Sequence, residues 1–209
     1  MRKTIPAGVG WFRVFTVSFR GLRGHDIRHH QIEKASVAMR MRTLKYLAYG
    51  SNLHPMRLRQ RVPSARPVDV IGLDRWRLRF HKRGRDHSGK CNIVRSPVPA
   101  DRVYAAVYEI DPVEKDALDE AESLGCGYEE MSLTVGRCGE VFCYIASAGF
   151  IDESLVPYTW YRDYVSVGAR FHQLPETYVR TIEVVEALQD PDSDRQERNM
   201  RIMAKLRDD

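Results

Sequence analysis

Apolar and polar positions alternate in short blocks from residue 44 onward. Strand-like segments fall at 44–49, 67–71, 75–81, 90–94, 103–110, 129–135 and 140–147. In the fifth, Val103, Ala105, Val107 and Glu109 alternate with Tyr104, Ala106, Tyr108 and Ile110, so one face is wholly apolar. Trp76, Leu78 and Phe80 alternate with Arg75, Arg77 and Arg79, which predicts one dry and one wet face. The polar stretch from Lys82 to Gly89 reads as a hairpin or loop.

Helical spacing appears between and after the strands. A short helix is expected over 54–61, with Pro55 in its first turn. Asp111, Pro112 and Glu114 form a helix start of capping-box type, and that helix runs to Glu122. Tyr161, Tyr164, Val165, Gly168 and Phe171 repeat at helical spacing. A further helix from Pro175 carries Tyr178, Ile182, Val185 and Leu188, and a charged tail at 193–207 sets Met200, Met203 and Leu206 on one stripe. Seven strands with interspersed and trailing helices predict an α+β fold, a small mixed β-barrel with flanking helices.

Charge changes the picture at the N-terminus. Residues 1–43 hold nine Lys/Arg against two acids, a net +7, so 44–209 carries −2 of the chain's +5. Periodicity is weak over 1–43. It reads as a basic extension, disordered or ahead of a true start at Met39 or Met41, with an organelle-targeting segment or a structural arm as the competing readings. The domain itself is expected over 44–209. Its near-neutral body argues against a dedicated nucleic-acid binder. No apolar run approaches the roughly 20 residues of a membrane helix. Cys91, Cys126, Cys138 and Cys143 match no zinc spacing and read as free thiols of a cytoplasmic protein, a Cys138–Cys143 bridge being the alternative.

Two places carry candidate chemistry. Tyr46–Tyr49 reads as a short buried strand that runs into Gly50-Ser51-Asn52-Leu53. Gly50 supplies the freedom for a sharp turn, and the turn offers small polar groups and backbone N–H donors at a strand end. Glu122 is the second place. It closes the helix from Asp111, where the helix end disfavours an ionised carboxylate, and Asp119 and Glu120 act in the same direction. Such a setting suits a proton shuttle, although a helix-end acid taken alone more often faces solvent. The aromatic run 158–164 reads first as core, and the basic run Arg75–Arg85 as the wet face and tip of a hairpin, with a phosphate or carboxylate site as the alternative for the basic run. The histidines do not form a metal set.

Taken together, these segments resemble the γ-glutamylcyclotransferase family. The match runs through Tyr49-Gly50-Ser51-Asn52-Leu53, Leu118-Asp119-Glu120-Ala121-Glu122, Gly127-Tyr128, Tyr161, Gly168 and Leu174-Pro175, in order and spacing over about 44–190. The first motif is closer to the γ-glutamyl-amino-acid enzymes than to the glutathione-specific or γ-glutamylamine branches. Ser123 stands where many members have glycine, and the 122–128 loop is a residue shorter than in some animal relatives.

The resemblance implies cyclisation of a γ-glutamyl amide to 5-oxoproline with release of an amino acid or amine. It implies Glu122 as general acid/base, and Tyr49, Gly50, Ser51, Asn52, Leu53, Tyr128 and Tyr161 around the substrate. It calls for no metal or organic cofactor, no nucleic acid and no membrane. The alternatives are a non-catalytic relative that binds a small metabolite or partner, and a nucleic-acid accessory role for 1–43 with Arg75–Arg85.

Overall fold

The computed structural model describes residues 43–208. These belong to one compact unit; apart from Thr43, the expected extension 1–43 lies outside the described residues. Strand β1 (Leu44–Ala48) is central to a five-stranded sheet. It pairs antiparallel with β5 (Arg102–Ile110), from Leu44 opposite Ile110 to Ala48 opposite Ala106. On its other side it runs parallel to β7 (Gly139–Ala146) at Tyr46–Phe142. Strand β2 (Arg66–Asp74) flanks β5 at one edge, and β6 (Tyr128–Val135) flanks β7 at the other. Leu47 and Ala48 have no exposed surface, nor do Val103, Ala105, Ala106, Val107 and Tyr108. Strand β5 is thus buried on both faces, where the alternation expected one; Tyr104 and Tyr108 on one face pack against the rings of Tyr178 and His172.

The fourth and third strands form a separate ribbon. Strand β3 (Trp76–Arg83) pairs antiparallel with β4 (Gly89–Arg95). A single residue, Arg75, at φ 62°, divides β2 from β3 and swings the chain out of the larger sheet. Its N–H donates to the Asp101 carbonyl at 2.7 Å, and its carbonyl accepts from Ser96 N–H at 2.8 Å, which fixes the corner. Pro67 is tolerated because β2 is an edge strand with a bulge between Pro67 and Asp69.

No closed barrel forms among the described residues. The edges β2 and β6 share no backbone ladder. A side-chain clamp ties β2 to the turn that follows β6 instead, the Arg137 guanidinium donating twice to the Asp69 carboxylate at 2.8 Å. The barrel expectation is corrected to an open mixed sheet plus a ribbon, since the chain that would continue the sheet leaves it at Arg75.

The helices differ from expectation at their ends. Helix α1 (Pro55–Arg59) is a single turn. Asp111 caps a 3₁₀ turn at Pro112–Glu114, which leads into α2 (Lys115–Glu122). Glu114 does not close a capping box: its carboxylate accepts from Ser64 N–H at 3.1 Å, while Asp111 N–H donates to the Ser64 hydroxyl at 2.8 Å. A tertiary clamp to the segment ahead of β2 replaces the local one. Helix α3 (Thr159–Phe171) is followed by α4 (Glu176–Glu183) and α5 (Ser193–Arg207). Val185 and Leu188 fall beyond α4, because Leu188 is drawn into a bridge, its N–H donating to Pro157 O at 3.0 Å and its carbonyl accepting from Thr159 N–H at 2.8 Å. Of the expected tail stripe, Met203 and Leu206 are buried and Met200 is exposed. Buried Asp190 holds this end together, accepting from Trp160 Nε1 at 2.9 Å and from Arg195 at 2.6 Å.

Helix α2 ends at Ser123, which sits at φ 57°, ψ 48° in the left-handed region. Glycine adopts that geometry without the steric cost an L side chain bears. Ser123→Gly is therefore expected to stabilise the fold by about 0.5–1 kcal/mol, a rise of about 2–4 °C in Tm per kcal/mol, measured by thermal denaturation.

Candidate active site

Strand β1 delivers Tyr49 to the sheet's end, and the turn that follows is closed by Leu53 N–H donating to the Gly50 carbonyl at 3.0 Å. The turn is seated from two sides. A Cβ on Gly50 would lie 3.0 Å from the Cβ of Cys91 on β4. A Cβ on Gly168 of α3 would lie 2.5 Å from the Cβ of Leu53. Ribbon and helix therefore hold the turn by close packing, tight at Gly50 and too close for any Cβ at Gly168 unless the turn shifts.

Helix α2 brings Glu122 to the same spot. Asn52 Nδ2 donates to Glu122 Oε1 at 2.7 Å and lies 3.2 Å from the Tyr46 hydroxyl. Arg61 donates to Asn52 Oδ1 at 2.5 Å and reaches Glu122 Oε1 at 3.4 Å. Asn52 thereby has a fixed orientation, its amide turned to the carboxylate and its carbonyl to Arg61. The neighbouring Asp119 carboxylate is occupied, accepting from the Tyr144 hydroxyl at 2.5 Å and pairing with Lys115.

Glu122, Gly50, Ser51 and Asn52 line one cavity of about 20 Å³ with Tyr46, Tyr49, Cys91, Tyr128, Tyr144 and Tyr161. Its phenols are anchored. The Tyr161 hydroxyl accepts from Cys91 N–H at 3.1 Å, Tyr128 donates to the Cys91 carbonyl at 2.6 Å, and Tyr49 donates to the Tyr144 carbonyl. The cavity opens into a cleft of about 240 Å³ that shares Ser51, Glu122, Tyr128 and Tyr161.

Of the residues singled out from the sequence, Leu53 alone is not on this wall. Its side chain has no exposed surface, and its carbonyl accepts from the Tyr108 hydroxyl at 2.5 Å and lies 2.8 Å from His172 Nε2. With its N–H also used, Leu53 packs the turn and is not placed to touch a ligand.

The sequence does not single out Arg57, Arg61 or Lys90, and it places Lys82 and Arg85 first on the wet face and tip of a hairpin. Arg57, Arg61, Lys82, Arg85 and Lys90 line the cleft. Lys82 was assigned to an exposed loop, but a bulge between Arg79 and Lys82 buries both His81 and Lys82. The ammonium lies 4.4 Å from the centre of the Tyr128 ring. The i, i+4 spacing of Arg57 and Arg61 directly after the turn was the available signal. Trp160, Tyr161 and Tyr164 are buried, as their spacing predicts.

Burial first, then Glu122 at Tyr46, Cys143 at Tyr49, Tyr161 at Tyr128 and Cys91 at Tyr161, pushes these four hydroxyls well above their usual range. All four stay neutral donors at physiological pH. The sign for stability follows. Unfolded tyrosine ionises near pH 10 and these do not, so their contribution is present below about pH 10 and is lost as pH rises above it. Each phenol weakens the fold by about 1.4 kcal/mol per pH unit there. Alkaline titration is expected to show one part of the phenolate absorbance, that of the four site tyrosines, rising together with loss of circular dichroism, and Tyr→Phe at each of the four is expected to reduce that part.

Among the described residues, no group of three or more His, Cys, Asp or Glu could hold a metal ion, and all four cysteines are free. No helix among them is long and apolar enough to cross a membrane.

No family model matches the chain. Curated relatives do. The γ-glutamylcyclotransferase of Bos taurus is 30% identical over 149 residues, covering 68% of this chain and 78% of its own. That of Mus musculus is 29% identical over 154 residues, covering 69% and 79%. A solved γ-glutamyl cyclotransferase structure superposes with a TM-score of 0.67 at 25% identity, over 78% of this chain and 99% of its own. Both the sequence likeness and the shared fold lead to one conclusion: the chain belongs to the γ-glutamylcyclotransferase family.

Proposed function

We propose that this protein cyclises small γ-glutamyl amides to 5-oxoproline, with Glu122 as general acid/base. The observation that carries the reading is the convergence of Glu122 and the Gly50–Asn52 turn, 70 residues apart at Asn52, on one hydrogen bond of 2.7 Å and one cavity. In this reaction the substrate's own α-amine attacks its γ-carbonyl. A C–N bond closes the lactam, the amide C–N bond breaks, and the leaving amine departs. The nucleophile is already within the molecule, so no covalent enzyme intermediate is needed. The α-ammonium must lose a proton first, and the leaving nitrogen must gain one. One carboxyl serves both steps in sequence.

The turn suits the other half of the task. The N–H groups of Ser51 and Asn52 make no backbone hydrogen bond among the described residues, so they are available to a developing oxyanion or to the α-carboxylate. Neutral Tyr128 and Tyr161 frame the position. A cytoplasmic setting agrees with the four free thiols. The test is incubation with a panel of γ-glutamyl dipeptides and measurement of 5-oxoproline. Absence of product from every member would leave a non-catalytic binding protein on the same fold.

A further inference from the structure

The cleft beside Glu122 carries more positive charge than a glutamyl group can use. Five cations and one acid line it. Two of the cations are committed: Arg61 to Asn52 and Glu122, and Lys90 to Asp86 at 2.6 Å. The other three, Arg57, Lys82 and Arg85, form no ion pair among the described residues, although the charge of Glu122 reaches Arg57 and Lys82 across the cleft and that of Asp86 reaches Lys82.

Two of these are also buried. Arg57 is 9% exposed and Lys82 6%. The Arg57 guanidinium stacks 3.9 Å from the centre of the Tyr164 ring, and its buried Nε has no hydrogen-bond partner among the described residues. Burial pushes Arg57 down to about 10 and lowers Lys82 as well. Taking a cation out of water without an anion costs free energy that ring faces return only in part. Two such buried cations, with the exposed Arg85 on the same cleft wall, amount to a site prepared for an anion.

Position says which part of a substrate brings that anion. The cyclising glutamyl end must sit at the small cavity, within reach of the turn and Glu122. Glu122 also faces the cleft, so the departing amine, which takes a proton there, lies on the cleft side. The glutamyl α-carboxylate has the Ser51 and Asn52 N–H donors. The unpaired cations therefore face the leaving group.

Building on the cyclisation reading above, we infer that the preferred substrates are γ-glutamyl amides whose leaving amine is an acidic amino acid. Its α-carboxylate and side-chain carboxylate together match Arg57, Lys82 and Arg85. The bond changes are those of the cyclisation itself: the lactam C–N bond forms, the amide C–N bond breaks, and the acidic amino acid leaves as its amine.

The test compares γ-Glu-Glu with its neutral near-isostere γ-Glu-Gln, by kcat/KM for 5-oxoproline formation and by Kd from calorimetry. The expected result is a preference for γ-Glu-Glu of about tenfold or more in both measures, shrinking as salt is raised. Arg85→Gln, an exposed position, and Lys82→Met are each expected to cut that ratio about threefold or more. The ratio within one variant is insensitive to the folded fraction. Equal handling of the two dipeptides by the parent, or a preference that both variants retain in full, overturns this inference while the cyclase reading stands. Tighter binding of γ-Glu-Glu without turnover of either dipeptide overturns the cyclase reading and leaves the charge preference.

Discussion

Glu122→Gln is expected to lower kcat by about 10²–10⁴-fold while the protein remains folded, the usual scale for removing a general acid/base. Glutamine keeps the size of glutamate and still offers an oxygen to Asn52 Nδ2, the 2.7 Å contact that ties α2 to the turn. It cannot take a proton from the substrate ammonium or return one to the leaving nitrogen. Because the lost interaction belongs to proton transfer and not to ground-state binding, KM should move far less than kcat. Unchanged circular dichroism and Tm establish folding, and 5-oxoproline release measures the rest. A folded Glu122→Gln protein as active as the parent would remove Glu122 from the chemistry.

Gly168→Ala is the second large effect. Two terms oppose each other. Alanine in a helix interior is favoured over glycine by about 1 kcal/mol. Against this, the new Cβ would lie 2.5 Å from the Leu53 Cβ and 2.8 Å from the His54 nitrogen. Neither atom is the free end of a flexible side chain, so the turn must move by about an ångström to restore van der Waals contact. Overpacking of this kind costs about 1–3 kcal/mol, and the net expectation is a Tm lowered by a few degrees.

The functional loss should be larger than the stability loss. A displacement of about 1 Å in positioning groups costs about 10²-fold in rate, and the groups displaced are the N–H donors and Asn52. Gly149→Ala is the control, since a Cβ there meets nothing within 4 Å. It should leave Tm and kcat/KM unchanged. A Gly168→Ala protein with raised Tm and full activity would show that helix propensity outweighs the contact and that α3 does not set the turn.

Much of the architecture was legible before any coordinates. Six of the seven expected strands are recovered within two residues at each end; the exception is 67–71, which the structure extends to Asp74, and the tail helix is found at Ser193–Arg207. Alternation and helical spacing are local properties, and burial of one face is enough to impose them. The close-packed strand into Gly50-Ser51-Asn52 and the acid at the end of α2 were legible for the same reason. Each is a local motif whose residue types already restrict what the backbone can do.

Features that depend on distant neighbours were not legible. Glu114 forms a tertiary clamp with Ser64 in place of a capping box because a residue 50 positions away offers a better-placed partner. The sheet stays open because the corner at Arg75 is fixed by Asp101 and Ser96, which no local pattern reveals. Lys82 looked like part of a solvated run, and a bulge turned it inward. The sequence by itself determined the elements, the turn and the acid. Only the tertiary structure decided that turn and acid share one cavity and that unpaired cations stand beside it, because charge and distance between remote residues exist only once the chain has folded.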